Sequence, residues 1–248
     1  MVMKKVFWII LCMFFILPVT FAGNMKLHYE RPAEYFEEAL VIGNGTMGAT
    51  LYGGVKKDKI SFNDITLWTG EPESENSSPD AFNVIPEIRA LLDNEDYEGA
   101  DKAQYKVQGH YSENYQPLGT LTIEYLDDTA GISDYHRWLD IGNATARTQY
   151  LKDGKLFTSD YFASAPDSVI VIRLKSENKE GIHALLSFDS PLPHSSQVAD
   201  NEISVEGYAA YHSFPVYYKA EDKHRYDPER GIHFKTLVRV LSVDGSVK

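Results

Sequence analysis

A ten-residue segment, from Asn63 to Pro72, contains the side chains that are best suited to chemistry. Its sequence is NDITLWTGEP. The indole ring of Trp68 can stack on the apolar face of a sugar ring, while Asn63 and Thr69 can hydrogen bond to hydroxyl groups. We therefore take Asn63, Trp68 and Thr69 as candidate substrate-binding residues. The alternative, which composition alone favours, is that Trp68 closes one end of the fold.

The other concentrations of aromatic side chains allow two interpretations. Tyrosine combines an apolar ring with a polar hydroxyl, so a row of tyrosines suits a carbohydrate-binding platform and also the half-exposed rim of a sheet. The rim is the commoner arrangement. The residues concerned are Tyr111, Tyr115, Trp138, Tyr208, Tyr211, Phe214, Tyr217 and Tyr218.

The sequence contains no motif of a known catalytic or metal centre. It lacks a Gly-x-Ser-x-Gly nucleophile turn, a Gly-x-x-x-x-Gly-Lys phosphate loop and a His-Glu-x-x-His zinc motif. The eight histidines are scattered without metal-ligand spacing. Adjacent carboxylates such as Asp127 and Asp128 arise freely on solvated faces when 36 residues are acidic. We expect no catalytic residue, no metal site and no cofactor in this chain.

Composition and charge exclude several classes of protein. The chain has 24 Lys and Arg residues against 36 Asp and Glu residues, a formal net charge of −12. The basic footprint of a nucleic-acid-binding protein is therefore absent, and a phosphate backbone would be repelled. A hydrophobic content of 43% and a charged content of 24% are ordinary for a globular protein, which excludes a disordered or fibrous chain.

Residues 1–22 are typical of a secretory signal peptide. Two lysines near the N-terminus precede an apolar run over residues 6–17, and small residues follow at the cleavage position, Thr20 and Ala22. The run is shorter than the roughly 20 residues that a membrane span needs, so we expect cleavage after Ala22 and no membrane contact afterwards. Cleavage removes Cys12, the only cysteine. A cysteine-free secreted domain fits the periplasm or cell surface of a bacterium.

Most of the chain after residue 22 is predicted to form β-strands. Residues 118–125 alternate apolar and polar side chains, which is typical of a half-buried strand. The dipeptide Asp153-Gly154 lies between two strand-like runs and is a strong hairpin signal. Asp58 is predicted to lie in a turn before a strand over residues 59–63. The remaining predicted strands are 47–52, 144–151, 155–161, 169–174, 184–188 and 232–241.

One interruption, near residues 84–107, is predicted to be helical. Pro86 suits the first position of a helix, and Asn94 is a candidate cap for a second helix. The predicted fold class is therefore mostly β, a large antiparallel β-sandwich with a short helical insertion. A barrel is the alternative.

The last residues predict that this sandwich is incomplete. Asp244-Gly245 signals a second hairpin turn, but only three residues follow it, too few for a return strand. An unpaired edge of a central strand promotes aggregation. We therefore expect the chain to be cut within its domain.

Five sequence blocks, in order and taken together, resemble the N-terminal domain of glycoside hydrolase family 95. The first, residues 38–49, contains Gly43-Asn44-Gly45, and the second is the segment 63–72 that contains Trp68. A departure from the family pattern is Asp64-Ile65, where the family has an acidic pair. The remaining blocks are residues 115–119, 139–146 and 162–171.

The resemblance implies that this chain is part of a secreted α-L-fucosidase-like enzyme. Family members mainly hydrolyse α-L-fucosides with inversion, and they combine an N-terminal β-sandwich, a helical linker and an (α/α)6 barrel. The barrel carries the catalytic groups. Residues 23–248 are then the N-terminal β-sandwich domain, without the catalytic barrel. The implied partners are that missing C-terminal barrel and, through the parent enzyme, a fucosylated glycan.

Two other interpretations stay open at this point. The chain could be a free-standing carbohydrate-binding module that uses Trp68 and the tyrosines. It could also be the product of a frameshifted gene, with no function of its own.

Overall fold

The computed structural model describes residues 25–72, 80–109, 111–242 and 245–247, and over these the protein is mostly β, as predicted. The predicted signal peptide and Asp244 of the predicted turn lie outside the described residues. In chain order the described strands are β1 (Lys26–Tyr29), β2 (Leu40–Gly43), β3 (Met47–Leu51), β4 (Lys57–Asp64), β5 (Gly119–Tyr125), β6 (Ile132–Asp140), β7 (Thr145–Lys152), β8 (Lys155–Ser164), β9 (Val169–Ser176), β10 (Ala184–Asp189), β11 (His194–Ala199), β12 (Glu202–Tyr208), β13 (His212–Ser213), β14 (His224–Arg225) and β15 (His233–Arg239).

Two five-stranded antiparallel sheets form the main layers of the sandwich. Their strand orders are β1-β6-β7-β8-β9 and β10-β5-β4-β3-β2. A three-stranded sheet, β11-β12-β15, and the two-stranded ribbon β13-β14 accompany them. All three larger sheets contribute to one apolar core, in which Ile60, Ile123, Tyr161 and Val205 are at most 1% exposed. The predicted β-sandwich is thereby confirmed.

Local sequence explains the strands and turns that were predicted. In β5 the apolar side chains of Leu121 and Ile123 are buried in the core, and the polar residues between them are more accessible. The hairpin between β7 and β8 turns at Asp153 and Gly154, whose φ angles of 49° and 72° are both left-handed. Such a pair of angles is what a two-residue hairpin turn requires, and Asp-Gly adopts it readily.

A group of buried polar side chains joins the two main sheets. Asp58 was predicted to lie in a turn, but it is the second residue of β4 and only 1% exposed. Its carboxylate accepts hydrogen bonds from the Tyr161 hydroxyl of β8 at 2.8 Å and from the Gly54 N–H at 2.9 Å. Burial raises the pKa of Asp58 to about 6. Arg137 of β6, also 1% exposed, donates to the backbone carbonyls of Arg31 and Glu38.

The helical insertion is present, but its bounds differ from the prediction. Helix α1 (Ala81–Asp93) begins five residues before Pro86, which lies inside it, and α2 is Tyr97–Gln104. Asn94 ends α1, and it is Asp96 whose side chain caps α2 by accepting from the Gly99 N–H. The start of the helix was misplaced because proline favours the first helical position, whereas here it lies inside the helix, where it removes one backbone hydrogen bond.

Two single-turn 3-10 helices, Phe36–Glu38 and Tyr105–Val107, complete the described helical structure. In the part of the chain that the structure describes, no helix has both the length and the apolar character needed to cross a bilayer.

Candidate functional site

The predicted segment leaves the end of β4 as an ordered turn. The Asp64 carboxylate accepts from the backbone N–H and the hydroxyl of Thr66, at 2.9 and 2.6 Å. The Leu67 N–H bonds to the Asp64 carbonyl, and the Leu67 side chain is buried in a small second apolar cluster. A short polar side chain that bonds to the backbone two residues on is a common device for fixing a turn. The position of the next residue, Trp68, is therefore set by its neighbours.

Trp68 lies at the surface and is held from two sides. Its indole N–H donates to the Ile65 carbonyl at 3.0 Å, and its ring meets Tyr115 edge to face at a centroid distance of 5.5 Å. The backbones of Trp68 and Tyr115 also form an isolated β-bridge. Trp68 remains 43% exposed and Tyr115 39% exposed. Together the two rings form a fixed, accessible aromatic surface.

The other two predicted residues lie in different surroundings. Asn63 is exposed in β4, opposite Gly48 of β3. Thr69 is only 3% exposed. Its hydroxyl donates to the Glu113 carboxylate at 2.5 Å and accepts from the Asn114 N–H at 2.8 Å, so it is already engaged within the chain. Sugar binding by Asn63, Trp68 and Thr69 stays a prediction, and the structure places Asn63 and Trp68 where a ligand can reach them.

Glu113 is the central group of the site, and sequence reasoning missed it. Besides Thr69, it accepts from the Ser213 N–H at 3.0 Å and bonds to His212 Nδ1 at 2.8 Å. Gly70 has a φ of +107°, and a Cβ there would lie 2.7 Å from the Glu113 Cγ, so the chain passes closely over this carboxylate. One side chain thus joins three segments that are far apart in sequence: the loop at Thr69, the loop at Glu113 itself and strand β13.

Further contacts join the same loop to the segment between β12 and β13 and to the region after β14. The Gly70 N–H bonds to the Ala210 carbonyl at 2.9 Å. Arg230 forms a two-point ion pair with Glu71, and its guanidinium lies 3.7 Å from the ring centroid of Tyr211. The hydrogen bonds from Arg230 hold the pKa of Glu71 below its usual range. Both ends of the 63–72 segment are therefore anchored.

The structure brings some of the predicted aromatic residues together and separates the others. Phe214 stacks on Tyr218 at 4.7 Å, and Tyr111 meets both Tyr217 and Tyr218 edge to face. Tyr217 is 73% exposed. By contrast, Trp138 lies on β6 near Arg147, and Tyr208 contacts His233 and Tyr226. The single platform envisaged from the sequence is thus divided into separate groups.

Within the described residues, no three His, Cys, Asp or Glu side chains are grouped so that they could hold a metal ion. The His212–Glu113 and His224–Ser213 pairs are hydrogen-bonded neighbours in one network. Ser213 is 1% exposed, which keeps its hydroxyl from any external substrate. The polar groups of this network hydrogen bond to one another, and in this way the network holds the surrounding loops in place.

Comparison with known proteins identifies the family. The family model described as "Glycosyl hydrolase family 65, N-terminal domain" matches residues 27–248, nearly the whole chain. The chain belongs to this family. The expectation of a glycoside hydrolase N-terminal domain is therefore confirmed, although the matching description names family 65. The assignment to family 95 stays a prediction.

Three relatives carry fucosidase names. The chain is 31% identical over 231 residues to Alpha-L-fucosidase 2 of Arabidopsis thaliana, covering 90% of this chain and 27% of that protein. It is 30% identical over 173 residues to Probable alpha-fucosidase A of Aspergillus niger, covering 65% of this chain and 21% of the relative. The protein of the same name from Aspergillus oryzae is 27% identical over 145 residues, covering 56% of this chain and 20% of the relative. This glycosyl hydrolase domain thus spans about a fifth to a quarter of the length of these relatives.

Proposed function

We propose that this chain is the N-terminal β-sandwich of an α-L-fucosidase-like glycoside hydrolase of family 95. Its relatives with fucosidase names support the substrate class, and the family match supports the place of the domain in its parent. In this proposal the catalytic acid and the water-activating groups lie in an (α/α)6 barrel elsewhere in the parent, which hydrolyses terminal α-L-fucosides with inversion. The role of the sandwich is to support that barrel and border its active site.

The observation that carries the proposal is the fixed exposure of Trp68. An aromatic ring that is 43% exposed, yet held by Ile65 and Tyr115, can meet a sugar or a neighbouring domain without first being ordered. The Glu113 network anchors the following residues from the opposite side. We propose that the segment 63–72 lies near the entrance of the barrel, with Asn63 and Trp68 facing the fucosylated glycan and Thr69 holding the loop.

We also propose a location for the parent enzyme. Residues 1–22 would direct the chain for secretion and be removed, which places the enzyme in the periplasm or on the surface of a bacterium. N-terminal sequencing of the exported protein tests this. A mature chain that begins at Gly23 supports it, and a mature chain that retains residues 1–22 contradicts it.

Whether the catalytic groups lie outside this domain is tested by assaying this chain alone on an aryl α-L-fucoside. We expect no turnover, while the complete gene product hydrolyses the substrate with release of the β-anomer of fucose. Turnover by residues 23–248 that disappears on changing a single carboxylate would place the chemistry in this domain and overturn the proposal.

A free-standing carbohydrate-binding module is the second candidate. It is favoured by the accessible rings of Trp68, Tyr115, Tyr111 and Tyr217. Trp68 follows β4, Tyr111 and Tyr115 precede β5, and Tyr217 lies between β13 and β14. Titration of fucosylated glycans into the chain separates the two functions. Saturable binding that is lost in Trp68→Ala supports the module. Binding that is absent, or that Trp68→Ala leaves unchanged, supports the scaffold.

A further inference from the structure

A cleft on the three-stranded sheet has the features of a second, separate ligand site. It has a volume of about 650 Å³ and is lined in part by Ser195, Glu206, Tyr208, His233 and Lys235. None of these residues belongs to the Trp68 and Glu113 networks described above. The cleft therefore requires an account of its own.

The strand register explains its shape. Ser195, Glu206 and Lys235 form one row across β11, β12 and β15, and Tyr208 pairs with His233 two residues further along. Residues two apart on a strand share a face and lie about 7 Å apart. The row between them contains Gly207, and it contributes no side chain to this face. This face of the sheet therefore carries a charged row and an aromatic row side by side.

Gly207 allows close packing on the opposite, core-facing side of the same sheet. A Cβ at this position would lie 2.5 Å from both the Phe234 ring and the Pro193 carbonyl oxygen. Any other residue would push the strands apart or displace Phe234, which packs against the core. The Phe234 ring therefore packs directly against the core side of the backbone that lies beneath the cleft.

The walls favour an uncharged, hydroxyl-rich ligand. The two charges, Glu206 and Lys235, neutralise each other in an ion pair at 2.6 Å. The opposite wall is aromatic, because Tyr208 contacts His233 at a centroid distance of 5.9 Å and Tyr226 at 6.5 Å. A ligand must then present an apolar face to the rings and both donors and acceptors to the ion pair. A sugar ring has these properties.

We propose that this cleft is an accessory binding site for one unit of a neutral saccharide, with Tyr208 as its stacking residue. The site is distinct from the surface around Trp68, and its existence does not depend on the reaction that the parent catalyses. The formal charge of −12 further disfavours anionic ligands.

The test is a titration of this chain, followed by NMR, with L-fucose, D-galactose and neutral oligosaccharides that contain them, and with glucuronic acid as an anionic probe. We expect saturable binding of at least one neutral sugar, with shifts centred on Gly207 and His233. Tyr208→Ala should weaken sugar binding at least fivefold. Glu206→Gln should also weaken it, and because the Glu206 side chain is exposed this change does not endanger folding. Tyr208→Phe, which keeps the ring, and Tyr217→Ala, a ring outside the cleft, should bind as the natural chain does.

Several results would overturn the site. These are the absence of saturable binding to any neutral sugar, tighter binding of glucuronic acid, or affinity that is unchanged in both Tyr208→Ala and Glu206→Gln. Trp68→Ala separates this inference from the proposed function. Binding that survives Trp68→Ala but is weakened in Tyr208→Ala belongs to the cleft. Binding that is lost in Trp68→Ala and unchanged in Tyr208→Ala belongs to the 63–72 segment and counts against the cleft.

Discussion

Asp58 and Glu113 are two carboxylates that each join parts of the chain distant in sequence, and they do so in opposite surroundings. Asp58 is enclosed between the two main sheets, with a tyrosine hydroxyl and backbone N–H groups as partners. Glu113 lies beside the 63–72 segment and is hydrogen bonded to Thr69, His212 and Ser213. The first is coupled to the stability of the whole domain. The second holds the 63–72 segment, which contains the candidate substrate-binding residues.

The largest effect is expected at Tyr161, the partner of Asp58. Tyr161→Ala removes a 1% exposed ring from the core and leaves a buried carboxylate without its hydroxyl partner. We expect the free energy of unfolding to fall by about 3–5 kcal/mol, measured by urea denaturation. Tyr161→Phe, which removes only the hydroxyl, is the matched control and should lose about 1–2 kcal/mol. Equal losses in the two variants would mean that packing of the ring is not what Tyr161 contributes.

The next effect is the pH dependence that Asp58 produces. Its pKa of about 6 in the folded protein lies above the ordinary value near 3.9, so the folded state holds the proton more tightly than the unfolded state. This contribution is fully present below about pH 4 and is lost as the pH rises through 6, a change of about 3 kcal/mol.

Asp58→Asn removes this titration and keeps the shape of the side chain. The difference in unfolding free energy between the natural chain and the variant should therefore change between pH 4 and pH 7, in the direction that favours the variant at the higher pH. Denaturation curves at several pH values measure it. A difference that is constant across this range would show that Asp58 does not titrate there.

A smaller and more local effect is expected at Glu113. Glu113→Ala removes the acceptor of Thr69, His212 and Ser213, and we expect a loss of about 1–2 kcal/mol. The more specific readout is acrylamide quenching of Trp68 in residues 23–248, which lack Trp8, with Trp138 changed to Phe. This quenching should increase as the loop loosens. Glu98→Ala breaks an exposed helix ion pair with Lys102 and should change neither quantity. Unchanged quenching in Glu113→Ala would show that Glu113 does not hold the loop.

The same comparison shows what the sequence could predict. The Asp153-Gly154 hairpin and the alternating strand β5 were found because their signals lie within a few residues. The segment around Trp68 was found because its tryptophan and turn residues are consecutive. Glu113 was missed because its partners are 44 to 100 residues away, and a lone glutamate in a loop gives no local signal.

Asp58 was misplaced for a related reason. A charged stretch of Lys56, Lys57 and Asp58 favours a turn, and only the position of Tyr161 on the opposite sheet shows why a carboxylate can be buried there. The strand β11 was also not predicted, since its first four residues are polar and all six of its residues are exposed. Tertiary contacts, rather than local preference, decide these elements.

The smallest effect on stability is expected at Trp68 itself. Its ring is 43% exposed, so Trp68→Ala should change the free energy of unfolding by less than about 1 kcal/mol. Thermal denaturation of the chain measures this. A loss as large as that of Tyr161→Ala would show that Trp68 closes the end of the sandwich, as the structural alternative holds.

The most direct test of the account is the activity of Trp68→Ala in the proposed parent enzyme. If the 63–72 segment borders the active site, kcat/KM for a fucosylated oligosaccharide should fall about tenfold, a loss of roughly 1.4 kcal/mol in transition-state stabilisation. The Tm of the variant should not change. Val198→Ala, at an exposed position on β11, should leave it unchanged. Activity in Trp68→Ala equal to that of the natural enzyme would contradict the account.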